Sequence, residues 1–125
     1  MTENDISFLI RKCIFKVYNS LGPGLLESVY EAAMLYELQK EGLKTKQQMP
    51  IPVVYEGIYL DKGFRLDILV EDKVIIEIKS VDFINGVHHK QLITYLRLAD
   101  IKLGLLVNFN AGNINDSIFR KVNKL

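Results

Sequence analysis

Residues 64–80 read FRLDILVEDKVIIEIKS. Two apolar runs flank the polar Glu71, Asp72 and Lys73, which is the pattern of a hairpin. In the first run Phe64, Leu66, Ile68 and Val70 alternate with Arg65, Asp67 and Leu69, the period of two of a strand. In the second, Val74, Ile76 and Ile78 alternate with Ile75, Glu77 and Lys79. If Val70 faces Val74 across the turn, Asp67 and Glu77 fall opposite each other on one face, with Cβ atoms about 4.5–5.5 Å apart. Lys79 follows on the same face. Two opposed carboxylates repel unless a proton or a cation stands between them, and a divalent metal is the simplest species that makes the pairing favourable. A one-residue slip in the turn would turn one strand over and separate the two, so the register carries the argument.

Before this hairpin, residues 5–21 place Ile6, Leu9, Ile10, Cys13, Ile14, Val17 and Leu21 at helical spacing, with Thr2 or Asn4 as the cap. Gly22, Pro23 and Gly24 end that helix. A second helix is expected over residues 25–41, closed by Gly42, with Leu26, Val29, Ala33 and Tyr36 as its buried stripe. Glu27, Tyr30 and Glu31 share a neighbouring face. Residues 49–55 read as one strand whose two prolines suit an edge or a lead-in. Glu56 and Gly57 make a turn, and Tyr59 and Leu60 lead into the hairpin. After it, residues 85–99 return to a helical period, with Leu92, Leu96 and Ala99 on one stripe and His88, Gln91 and Tyr95 on another. Residues 103–109, LGLLVNF, suit a strand buried on both faces. The tail reads as a last strand over residues 117–122, with a short helix capped by Asp116 as the competing assignment. The order ααβββαβ(β) defines an α/β (α+β) domain. Its mixed sheet has about four to five strands flanked by helices, since a helix between the hairpin and LGLLVNF permits a parallel crossover.

The 125 residues make one domain, 1–125, with no room for a separate recognition module. The net charge of +1 supplies no global basic field of the kind that advertises nucleic-acid binding. The single cysteine, Cys13, lies on an apolar stripe as a small core residue, and no Cys/His zinc spacing is present. Neither a signal pattern nor an apolar run long enough to span a membrane is found, so a cytoplasmic location is expected, with no membrane partner.

Asp67, Glu77 and Lys79 suit metal-assisted phosphodiester hydrolysis. Mg²⁺ prefers oxygen ligands and takes only one or two protein carboxylates, leaving the remaining positions to water and substrate phosphate. A lysine on the same face steers the attacking water or offsets charge in the transition state. The bland alternative is a solvated charge cluster or an ion-pair network with Lys79 and Arg65. It weakens because the three charges are interleaved with isoleucine and leucine.

Asp67 followed after nine residues by Glu77, Ile78 and Lys79 resembles the D…ExK core of the PD-(D/E)xK nuclease superfamily. Residues 91–95, QLITY, resemble the QxxxY motif of its RecB-like and phage-exonuclease branches, and residues 24–30, GLLESVY, match the GxxExxY signature of a small bacterial family within it. The match runs from the first helix through LGLLVNF. The resemblance implies a restriction-endonuclease-like fold and a Mg²⁺- or Mn²⁺-dependent nuclease, with DNA as the expected substrate. It implies that Asp67 and Glu77 ligate the metal, with the Ile78 carbonyl as a further ligand. Glu27 would contact the metal directly or through water, and Lys79 would activate the hydrolytic water. Gln91 would bind phosphate or orient the nucleophile, supported by Tyr95, and His88 would contact phosphate. Tyr30 is read as a packing group and His89 as surface. A homodimer is a further implication, since many members of that superfamily pair to reach both strands of a duplex. The alternative function is a catalytically silent nuclease-fold module that binds or regulates together with a partner.

Overall fold

The computed structural model describes residues 1–60 and 64–125. Helices α1 (Glu3–Leu21) and α2 (Glu27–Lys40) precede strands β1 (Thr45–Pro50), β2 (Val53–Tyr55), β3 (Ile58–Leu60), β4 (Arg65–Val70) and β5 (Val74–Lys79). Helix α3 (Gly86–Ala99), strand β6 (Leu103–Asn108), a 3-10 turn (Ile114–Ser117) and strand β7 (Ile118–Val122) complete the order. Five strands form one mixed sheet in the order β1-β4-β5-β6-β7, while β2 and β3 make a separate two-stranded hairpin. Among the described strands only β5 and β6 run parallel, and α3 is the crossover between them.

The central hairpin takes the expected register, with Val70 opposite Val74, Leu69 opposite Ile75 and Ile68 opposite Ile76. Glu71 and Asp72 adopt the left-handed backbone, at φ 53° and 54°. Their cost is offset by neighbours on the chain entering β1. The Lys44 backbone N–H donates to the Glu71 carboxylate at 2.6 Å, and Lys44 and Lys46 pair with Asp72 at 2.6 and 2.9 Å.

Each face of the sheet carries its own core. Ile68, Val70, Val74, Ile76 and Ile78 pack with Ile6, Ile10, Ile14, Tyr30, Met34 and Leu38 of α1 and α2. Leu69, Ile75 and Leu106 pack with Leu92, Tyr95 and Leu96 of α3. Leu66 belongs to this second core, although simple alternation puts it with Ile68 and Val70. The switch falls at Asp67. There β1 is also irregular, because Gln48 has φ 50° and the β1–β4 pairs run from Gln47–Ile68 directly to Met49–Leu66.

Three sequence expectations are corrected. Residues 49–55 are not one strand: they hold the end of β1 and the whole of β2, parted at Ile51 and Pro52. The proline amide cannot donate to a ladder, and Ile51 is buried against the α3-side core instead. Tyr59 and Leu60 belong to β3 rather than to a lead-in. The buried stripe of α2 is Tyr30, Met34 and Leu38, not Leu26, Val29, Ala33 and Tyr36; Leu26 is 74% exposed. Apolar residues surround this helix on nearly every side, so its sequence pattern selects no single face. The other expectations on α1 and the C-terminal region hold. Thr2 caps α1 in a capping box with Asp5, β6 is buried along its whole length, and β7 is a strand preceded by a 3-10 turn.

Candidate active site

Beyond Ile68 and Ile76 the backbone ladder between β4 and β5 stops, and the next two residues are Asp67 and Glu77. Their side chains take over the bonding. The Asp67 N–H donates to Glu77 Oε1 at 3.2 Å, and the Ile78 N–H donates to Asp67 Oδ2 at 2.7 Å. Each carboxylate thus reaches across to the opposite strand's backbone, in place of a carbonyl–amide pair. The strands part here, and the gap is lined by acid.

Glu77 is 6% exposed. Burial, followed by the charge of Asp67, pushes its carboxyl up to about 9, while the Asp67 N–H and Lys79 pull the other way. Burial also raises Asp67, against the bond from Ile78, the interaction with Glu77 and the charge of Lys79; Glu27 raises it further. The two acids together hold more negative charge than this pocket tolerates. Among the described residues, the ion pairs within bonding distance involve neither acid, nor Lys79, nor Arg65. Arg65 instead donates to the Gln48 carbonyl at 3.2 Å. Among the described residues, no ion pair accounts for these charges.

Glu27 is the first residue of α2, and its carboxylate accepts from the Ser80 N–H at 3.1 Å, next to Lys79. The Ser80 hydroxyl donates to the Leu25 carbonyl at 2.6 Å. Tyr30 sets up this junction. Its hydroxyl donates to the Gly22 carbonyl at 2.6 Å and accepts from the Leu25 N–H at 3.1 Å, while its ring stacks on Phe109 at 4.5 Å. In the glycine-rich loop Gly22 and Gly24 take φ 66° and 98°, a backbone open to glycine. The residues of GLLESVY therefore have separate tasks: glycine turns the chain, tyrosine pins it and glutamate meets the end of β5.

From the other side, α3 brings Tyr95 close enough for the charges of Glu77 and Asp67 to act on its phenol. Burial first and those charges second push it up to about 12, with a bond from Gln91 opposing. His88 is used elsewhere. Its Nδ1 accepts from the Asn85 N–H at 3.3 Å in the capping box that starts α3. His89 is not a surface residue: half-buried, it meets the Phe119 ring edge-on at 4.9 Å.

Three residues absent from the sequence reading of the site support it. Gln48 donates to both oxygens of Glu31, at 3.1 and 3.0 Å, beside Asp67. The third is Asn108, buried opposite Lys79 in β6, which holds the segment after β5 by accepting from the Val81 N–H at 3.1 Å and donating to its carbonyl at 2.9 Å. A lone amide in the otherwise apolar LGLLVNF was a readable signal. The left-handed Gln48 had none. Among the described residues no group of three or more His, Cys, Asp or Glu side chains gathers closely enough to hold a metal. Asp67 and Glu77 are together, and Glu27 stands apart at Ser80.

This mixed sheet, with its acids at the point where the central hairpin parts, defines a restriction-endonuclease-like fold. A family model described as the PD-(D/E)XK nuclease superfamily matches residues 4–121, and the chain belongs to that superfamily. Membership suggests nuclease activity in general, and nucleases of this superfamily generally use divalent metals. Searches of curated proteins and of solved structures gave no match. Among the described residues no helix is long and apolar enough to cross a membrane.

Proposed function

We propose that the chain is a Mg²⁺- or Mn²⁺-dependent nuclease of the GxxExxY type that hydrolyses phosphodiesters of nucleic acid, DNA foremost. The observation that carries this reading is the crossed pair of buried acids, Asp67 and Glu77, with no cation among the described residues bonded to either and Lys79 two residues on from Glu77. An all-oxygen donor set whose two acids repel each other when both are ionised fits a hard divalent cation, which would take the place of the proton on Glu77. Asp67, Glu77 and the Ile78 carbonyl would hold it, with Glu27 acting through water. A cation bound there lowers the pKa of its water and offsets charge on the phosphate.

The chain's own groups do the rest. Lys79 orients the attacking water and faces the charge that develops on phosphorus oxygens. Gln91 binds a phosphate oxygen or orients the nucleophile, and Tyr95 holds the Gln91 amide in place. Burial of the pair keeps bulk water from screening Lys79, so its charge counts for more. His88 is kept as a phosphate contact through Nε2, the nitrogen its cap leaves free.

The test is cleavage of labelled single- and double-stranded DNA and RNA with Mg²⁺, Mn²⁺ or chelator. Glu77→Ala and Lys79→Ala abolish metal-dependent cleavage while the far-ultraviolet circular dichroism stays that of the parent. Cleavage that survives both substitutions sinks the proposal. A folded protein that binds nucleic acid and never cleaves it favours the silent binding module.

A further inference from the structure

Past Ile76, strand β5 keeps a backbone ladder on one side. Among the described residues its pairing with β4 stops at Ile68–Ile76, while the pairs Glu77–Leu106, Ile78–Val107 and Lys79–Asn108 continue along β6. The Phe109 N–H closes that ladder by donating to the Lys79 carbonyl at 2.9 Å. A strand end held on one edge opens more readily than one held on two. This end carries Lys79, whose ammonium sits on a flexible four-carbon stem, so its aim depends on the backbone beneath it.

Side chains continue the ladder where the backbone ends. Asn108 is 5% exposed, in a strand whose other residues are all apolar. Its carbonyl oxygen accepts from the Val81 N–H at 3.1 Å and from the Asn110 N–H at 3.2 Å, and its amide donates to the Val81 carbonyl at 2.9 Å. One side chain thus meets both polar groups of the Val81 backbone, and both lone pairs of its carbonyl are engaged. One residue earlier, the Ser80 hydroxyl donates to the Leu25 carbonyl at 2.6 Å and the Ser80 N–H to Glu27 at 3.1 Å. The two residues after Lys79 are therefore fastened both to β6 and to the start of α2.

An apolar residue at position 108 would suit the packing of β6. A buried amide is unfavourable unless it is bonded, and two of the three bonds of this one go to the segment leaving β5. The register sets Asn108 beside Lys79, on strands about 4.7–4.9 Å apart. Among the described residues the buried polar or charged side chains are Ser7, Glu77 and Asn108. Two of these three stand at the same end of adjacent strands, on either side of the pair that holds Lys79 in place.

We infer that Asn108 is a positioning residue for Lys79: together with the Ser80 hydroxyl it fixes the end of β5, and so the point from which the lysine reaches the phosphate. It acts through the backbone and touches neither metal nor substrate. The inference rests on the nuclease reading, to which it adds a residue of β6.

The test is steady-state cleavage of a labelled oligonucleotide with Mn²⁺, run well below the melting temperature of each variant. Asn108→Ala lowers kcat about tenfold to a hundredfold, the scale of a displacement near 1 Å, while KM and the calorimetric Kd for Mn²⁺ stay those of the parent. Ser80→Ala gives a smaller loss of kcat with the same split, and it decides alone where Asn108→Ala does not fold. Ile10→Ala, which weakens the fold from α1, keeps the parent's kcat. In chelator, apart from any activity, hydrogen exchange quickens at the Val81 amide of Asn108→Ala and is unchanged in α1. The inference is overturned by a loss confined to KM or to Mn²⁺ affinity, or by an equal loss of kcat in Ile10→Ala. A parent that cleaves while the folded Asn108→Ala, or Ser80→Ala in its stead, matches its kcat overturns this inference alone. A parent that cleaves nothing overturns the nuclease reading and this inference with it.

Discussion

Glu77 holds a proton that an ordinary glutamate would have lost, and this has a measurable consequence in the metal-free protein. Its carboxyl sits at about 9 folded, against an ordinary value of 4.5. Between those values the folded state binds more proton than the unfolded state, so stability falls as pH rises. The contribution is full below about pH 4.5 and lost as pH climbs through about 9. Melting of chelated protein from pH 5 to 9 therefore shows a downward trend that Glu77→Gln flattens, and Glu77→Gln melts above the parent at pH 8. Mn²⁺ reverses the trend for the parent by binding the folded state alone, with a gain near 2.7 kcal/mol at about a hundredfold excess over Kd; it leaves Glu77→Ala unchanged. Lys79→Ala lowers the cleavage rate by at least about 10²–10³-fold, the scale of one removed transition-state donor and enough to bring it to background in the cleavage assay, with the melting temperature held. At this scale the sequence was informative, because Asp67, Glu77 and Lys79 interrupt apolar strands. It did not show that each acid would bond the other strand's backbone, since that follows from where the ladder ends. Nor did it show that His88 would be engaged as a cap, since an Asn three residues ahead of a His signals this only once the helix start is known.

Two elements position the acids, and each offers a test. Helix α3 lies close on β6 because Gly104 has no side chain: a Cβ there would come within 2.9 Å of the Leu92 side chain, which is buried. Gly104→Val overpacks that contact and costs about 1–3 kcal/mol by urea denaturation. Helix α2 is pinned through Tyr30. Tyr30→Phe keeps the stack on Phe109 and loses the bonds to Gly22 and Leu25, at a cost of about 0.5–1.5 kcal/mol each, and it frees the backbone that leads to Glu27. Stability falls by that amount in denaturant titration, and cleavage falls with it. Hairpin β4–β5, helix α3 and strand β6 were readable from period and turn residues. The face of α2 was not, because Val29, Ala33 and Tyr36 are as apolar as Tyr30, Met34 and Leu38, and only packing on α1 and the sheet chooses between them. The division of residues 49–55 was hidden by Pro52, which reads equally as an edge strand or a break.

At the scale of the molecule, one sheet is the floor of both cores. Ile76 looks to α1 and α2, and its neighbour Ile75 looks to α3, so neither core can melt while the strands stay paired. Ile10→Ala on one side and Leu106→Ala on the other each cost about 2–5 kcal/mol and shift the same single transition. Far-ultraviolet dichroism and tyrosine fluorescence follow it together; two separate transitions would contradict the shared floor. The order of elements and the parallel crossover followed from the sequence, because a helical segment between two apolar strands leaves few ways to connect them. The separate β2–β3 hairpin did not. Among the described residues it pairs only with itself, and no pattern in residues 53–60 distinguishes a strand that joins the main sheet from one that pairs apart from it.

The two hairpins also set where the chain tolerates a change in length. In β4–β5 the count of residues between Val70 and Val74 fixes whether Asp67 and Glu77 share a side, so an insertion there ends activity even where the chain still folds. In β2–β3 an added residue at Glu56 or Gly57 shifts only a ribbon that, among the described residues, pairs with no strand of the five-stranded sheet. Among insertions over the described residues, those near Gly57 survive selection for cleavage, and those at residues 71–73 are lost from it. The chain can lengthen beside its chemistry, and not within the turn that aligns it.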